Sequence, residues 1–187
     1  EMNAEDASGA QWDLLDDPAA LRALVRVQVK AGHLPAAEAT IARIQDSSFL
    51  RDTGLQALAE VQAQSGEFSA AQATIERMQD FFPKDDALKL LAEAQAGAGE
   101  FSAAQATIEC MRRSTRSDSA RRVLAEAQAD AGDMLGAAAT IDRMSNPHGA
   151  YALSALAAAQ ARAGDFAATQ ATIERMETHS THRDFAL

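Results

Sequence analysis

The 187 residues carry 17 Lys and Arg against 27 Asp and Glu, a net charge of -10. That balance excludes a general nucleic-acid binder, which must supply cations to displace counterions, and argues against docking on an anionic membrane. No apolar run approaches the roughly 18 to 20 residues that span a bilayer. The start carries no signal-peptide pattern. One cysteine, Cys110, allows neither an internal disulfide framework nor a cysteine metal site, and fits a reducing cytoplasm. Alanine makes up 45 of the residues and aromatics only 5%. Alanine is the best helix former and has little bulk, so closely packed helices are expected.

Taken in chain order, residues 1–17 read as a flexible polar segment, apart from Trp12, expected to fold over the first helices. Five similar units follow, at about 18–50, 51–83, 84–116, 117–148 and 149–177. Each opens with a helix pattern: LRALVRVQVK, LQALAEVQAQ, LKLLAEAQAG, RRVLAEAQAD and LSALAAAQAR. Leu21, Leu24 and Val25, like Leu55, Leu58 and Ala59 or Leu88, Leu91 and Ala92, repeat at i, i+3, i+4, one apolar face of a helix. A glycine turn comes next, at Gly32, Gly66, Gly99, Gly132 and Gly164, spaced by 34, 33, 33 and 32 residues. A second helix closes each unit, with Phe68, Ala71, Ile75 and Met78, then Phe101, Ala104, Ile108 and Met111, on one face. No strand pattern occurs. Residues 178–187 read as the start of a sixth unit, because Arg183-Asp184-Phe185-Ala186-Leu187 resembles Arg51-Asp52-Thr53-Gly54-Leu55. That start is expected to continue in a longer protein or to be covered by a partner.

The punctuation agrees. Glycine after the first helix supplies the positive φ that ends it. Glu67, Glu100, Asp133 and Asp165 place negative charge at the start of the second helix. Asp17 before Pro18 reads as an N-cap, and Pro83 and Pro147 are expected in linkers. A two-helix unit cannot bury its apolar face alone, so neighbours must stack into one continuous core.

The period, the Leu-x-x-Leu-Ala start, the Gly-Glu/Asp-Phe turn, the following small Ala and the closing Ile-x-x-Met together resemble the tetratricopeptide repeat. The resemblance covers residues 18–176 and implies an all-α, right-handed α-solenoid of about five helix-turn-helix repeats. It departs from the family in lacking the first-helix Trp and Tyr, Gln28, Gln62, Gln95, Gln128 and Gln160 standing where the Tyr would be. HEAT-type repeats fit worse, because their period is about 40–47 residues.

Catalytic constellations are missing: there is no phosphate-binding glycine loop, nucleophile elbow or metalloprotease helix motif. Neither an enzyme activity nor a cofactor or metal site is expected. His179 and His182 have chelating i, i+3 spacing but no further ligands, and read with His33 and His148 as solvated. Cys110 stands where Arg43, Arg77, Arg143 and Arg175 stand in the other units, either as drift at a surface position or as a thiol beside Arg112 or Arg113. The recurring glutamines either bond neighbouring repeats or offer a ladder to an extended peptide. Arg112, Arg113, Arg116, Arg121 and Arg122 cluster around the third linker, as a solvated loop or an anion contact.

By analogy with the family, the first helices line the concave surface. Its exposed positions would be Arg22, Arg26 and Lys30, then Gln56 with Glu60, Lys89 with Glu93, Arg122 with Glu126, and Tyr151, Ser154 and Arg162. The alternative is a solvated face. Arg22, Arg26 and Lys30 stack like charges at i, i+4, i+8, which destabilises the helix unless something anionic answers. Glu60, Glu93 and Glu126 form a row expected to favour a basic segment and to preclude a carboxylate clamp. The function expected is a protein-interaction scaffold that binds a peptide or helix in this groove. The alternative is a structural element that oligomerises through the ends of the array.

Overall fold

The structure is a computed structural model, which describes residues 17–45, 47–112 and 115–181, without the side chains of 146–148 and 177–181. Among the described residues there are ten helices and no strand. They run α1 (Pro18–Lys30), α2 (Leu34–Arg43), α3 (Ser48–Gln64), α4 (Phe68–Glu76), α5 (Phe81–Gly97), α6 (Phe101–Glu109), α7 (Thr115–Asp130), α8 (Met134–Ile141), α9 (Asn146–Arg162) and α10 (Phe166–Thr181). The fold is an all-α solenoid of helical repeats built from five pairs. α10 runs to Thr181, four residues into the segment 178–187. Trp12, Arg113, His182 and the motif at 183–187 lie outside the described residues, as does the side chain of His148.

One chemical device makes every turn. Gly32, Gly66, Gly99, Gly132 and Gly164 have φ between 75° and 86°. In the second pair Gly66 N–H donates to the Ala63 carbonyl and Glu67 N–H to the Gln62 carbonyl, the pattern that satisfies the last carbonyls of a helix. The same two bonds recur at the other four turns. The residue after each glycine starts the second helix. Asp133 and Asp165 accept there from the N–H of Gly136 and Ala168, at 2.9 and 3.0 Å, whereas Glu67 and Glu100 make no such cap bond. Asp17 caps α1 as its sequence predicts. Pro83 and Pro147 sit in the first turns of α5 and α9 rather than in linkers, where a missing N–H costs nothing.

The chain divides into two compact units, residues 1–87 and 88–187, the boundary falling within α5. In the first unit α3 packs against both α1 and α2. Leu21, Val25, Ile41, Ile44, Leu55 and Leu58 are buried there. α3 comes so close that a Cβ on Gly54 would stand 3.2 Å from Ile41 Cγ1. In the second unit α9 packs on α7, α8 and α10. Leu124, Ile141, Leu153 and Leu156 are fully or nearly fully buried, with Met134, Met144 and Met176 against them. Leu24 departs from the expected core: it shares the apolar stripe of α1 but points outward and is exposed.

Candidate functional site

The glutamines are structural. Thr74 Oγ1 donates to Gln62 Oε1 at 2.8 Å, Thr107 to Gln95 at 2.8 Å, Thr140 to Gln128 at 2.7 Å and Thr172 to Gln160 at 2.8 Å. Each bond joins the two helices of one pair, so the glutamines staple within a repeat and do not bridge neighbours as expected. All eight side chains are buried, where an unpaired amide oxygen would be costly. These glutamines therefore do not offer their oxygens to a peptide. The first pair differs. Thr40 donates to the Ala36 carbonyl of its own helix, and Gln28 Oε1 is buried without a donor.

A second device went unread in the sequence. Asp52, Asp85 and Asp118 are buried near the starts of α3, α5 and α7, spaced by 33 residues. Asp52 Oδ2 accepts from the N–H groups of Gln79 and Asp80, at 2.6 and 2.7 Å, just before α5. Asp118 Oδ2 accepts from Ser145 N–H at 3.2 Å and from the Ser145 hydroxyl, at the start of α9. The Asp52 and Asp118 carboxylates thus hold the chain where the next pair begins. Burial pushes the Asp118 carboxyl upward, but the Ser145 bonds and Arg121, 3.1 Å away, outweigh it and hold it below the usual carboxylate value. The signal was available as an acid at one fixed register, which reads equally as a solvated helix start.

Second-helix charges link consecutive pairs within each unit. Arg77 meets Glu38 at 3.4 Å, Arg143 meets Glu109 at 3.2 Å and Arg175 meets Asp142 at 2.5 Å. Cys110 occupies the same register as these arginines and is exposed. Among the described residues no group of three His, Cys, Asp or Glu could hold a metal ion, and no helix is long and apolar enough to cross a membrane.

The candidate surface residues fall into two sets. In the first unit Arg22 and Arg26 of α1 line one groove of about 220 Å³ with Thr53, Gln56, Ala57 and Glu60 of α3. Arg22, Arg26 and Lys30 line an adjoining groove of about 260 Å³. No acid pairs with these three cations among the described residues, and Arg22 Nε is buried without an acceptor. Glu60 accepts from Gln64 Nε2 at 3.2 Å. In the second unit the charges answer one another. Lys89 pairs with Glu93 at 3.2 Å, Arg122 with Glu126 at 2.5 Å and Arg162 with Asp130 at 2.7 Å. Arg121 is engaged with Asp118 and Ser117. Tyr151 and Ser154 are exposed, the Ser154 hydroxyl bonding the Tyr151 carbonyl.

A family model described as the tetratricopeptide repeat matches residues 18–43, 57–77 and 150–175. No curated protein matches the sequence. Among solved structures the chain is similar to the nearly identical TPR-like repeats of a Podosopora anserina protein assigned as a kinesin light chain. Identity is 15% over 92% of this chain and 99% of that one, with a TM-score of 0.50. A single-substitution variant of the same protein gives 16%, 91% and 97%, and 0.49. At such identity the likeness concerns the fold. The three repeat matches, the five Gly turns and the paired-helix architecture support a tetratricopeptide-like helical-repeat family.

Proposed function

We propose that the chain is a non-enzymatic scaffold that holds a peptide or helix on the first-helix surface of its first unit. Repeats of this type generally mediate protein–protein interaction or assembly. The observation that carries the reading is the charge on α1. Arg22, Arg26 and Lys30 have no acidic partner among the described residues and line two adjoining grooves. The row of Glu60, Glu93 and Glu126 is engaged within its own helices. The favoured segment is therefore acidic, a reversal of the basic preference expected from the row alone. Gln56 and Glu60 border the site; Lys89, Glu93, Arg122, Glu126, Tyr151 and Arg162 belong to the second unit and are a candidate surface there by themselves.

The test is fluorescence anisotropy with a labelled Glu-rich amphipathic peptide. Replacing Arg22, Arg26 and Lys30 together by Gln is expected to weaken binding by about tenfold or more and to flatten its salt dependence. The triple Gln variant of Glu60, Glu93 and Glu126 is expected to bind nearly as well as the parent. Unchanged affinity in the cation variant overturns the site.

A second reading, association of copies through the outer faces of α1 and α10, uses other residues. The exposure of Leu24 and Ile173 favours it.

A further inference from the structure

Within the first unit, adjacent repeats meet through a fixed pair of faces. The receiving face is the isoleucine register of the second helix, where Ile41 Cγ1 lies 3.2 Å from the place of a Cβ on Gly54. The entering face is the stripe of Gly54, Leu58 and Val61 on the next first helix, at i, i+4, i+7. In the second unit Ile141 again lies against the next first helix, 4.0 Å from the Cβ place of Gly149, three residues before the register of Gly54. Inside the array both registers are dry. Leu58, Leu124 and Leu156 are at most 1% exposed, and Ile41, Ile108 and Ile141 at most 3%.

The same registers are open at the two outer helices. On α1 the entering stripe is Ala20, Leu24 and Val27, with Leu24 42% and Val27 64% exposed. On α10 the receiving register is Ile173, 39% exposed, with Phe166 beside it at 73%. The segments around Ile173 and the buried Ile75 are nearly the same, TQATIERM at 169–176 and AQATIERM at 71–78. The chain therefore carries both halves of a contact that it already makes internally, and both are exposed among the described residues.

We propose that copies of this chain associate head to tail, the Ile173 face of α10 in one copy receiving the Ala20–Leu24–Val27 face of α1 in the next. The occupant of each face is a second copy, because the surface complementary to either one is present at the other end of the same sequence. Such a contact joins two different patches, so it does not close after two copies unless a ring forms. The proposal rests on the second reading above and gives it a direction and residues.

The experiment is sedimentation velocity over a wide concentration range with the parent chain, Leu24→Glu, Ile173→Glu, and an equimolar mixture of the two variants. Both side chains are exposed, so the variants should keep the parent's helical circular dichroism. Leu24→Gln and Ile173→Gln replace them should either Glu variant lose helix. The parent is expected to grow reversibly with concentration and each variant alone to remain monomeric. The mixture is expected to form one-to-one dimers, because each variant keeps one intact face. A parent that stays monomeric at every concentration overturns self-association altogether. A parent that grows while the mixture forms no dimers, or forms chains, overturns the head-to-tail contact alone.

Discussion

The first helix pair and the four that follow share a register but not its bonds. In pairs two to five a buried threonine hydroxyl donates to a glutamine twelve residues upstream. In the first pair Thr40 turns back on Ala36, Gln28 Oε1 has no donor, Leu24 faces outward and three cations lack acids among the described residues. The difference teaches that a repeat pattern states which groups could pair, while the neighbour on each side decides whether they do. Unfilled bonding capacity collects in the first pair, while the last pair keeps its staple. That is where a partner gains most by binding, since it answers groups the chain itself leaves open.

The largest contrast should be in the isoleucine register. Ile108 is fully buried, so Ile108→Ala is expected to cost about 2–5 kcal/mol in chemical denaturation, the transfer loss plus a cavity. Ile173→Ala, at the open face, is expected to cost less than about 1 kcal/mol. Equal losses would mean that the two positions share one environment and would dissolve the comparison.

Next comes the staple. Thr107→Val keeps shape but strands the Gln95 oxygen, and is expected to cost about 1–3 kcal/mol. Thr40→Val removes only a bond back to its own helix and should stay within about 0.5 kcal/mol of the parent. A double substitution of Thr107 and Gln95 by apolar residues of like shape should recover much of the loss, which a double-mutant cycle would measure.

Acid should sharpen the contrast further. The Asp118 carboxyl is held below its value of about 3.9 in the unfolded chain. Its contribution is therefore present above that unfolded value and disappears as pH falls through the lower, folded one. Thermal melts of the parent and Asp118→Asn should differ near neutral pH and converge in strong acid. A gap that stays constant with pH would show that the carboxylate charge does not matter. The smallest effect belongs to the exposed links: Arg143→Gln, which loses Glu109, is expected to cost less than about 1 kcal/mol and less still in high salt.

Much of the architecture was legible because it rests on local chemistry. Gly at C′, acid after it and apolar residues at helical spacing each have a local cause; all five turns have the glycine and four of them the acid, His33 taking its place in the first. Pairing across helices was less visible. The spacing of twelve between Gln62 and Thr74 recurs in the sequence, yet glutamine alone drew notice because it stood in an unexpected place. Asp52 and Asp118 drew no reading, since the backbone each holds lies 27 residues onward and no short motif links the two. Leu24 was misplaced because periodicity defines a stripe without saying whether a neighbour covers it. The candidate surface was legible as a set of positions. Its division into an unanswered cationic part and a paired part depended on side-chain distances that spacing does not supply.

The account is tested most directly by the affinity of the parent chain for two labelled amphipathic peptides of matched apolar content, one Glu-rich and one Lys-rich, measured across salt. It predicts that the Glu-rich peptide binds more tightly and that its advantage shrinks as salt rises. Preference for the Lys-rich peptide, or no binding of either, would contradict the assignment of the α1 cations as the site where a partner is held.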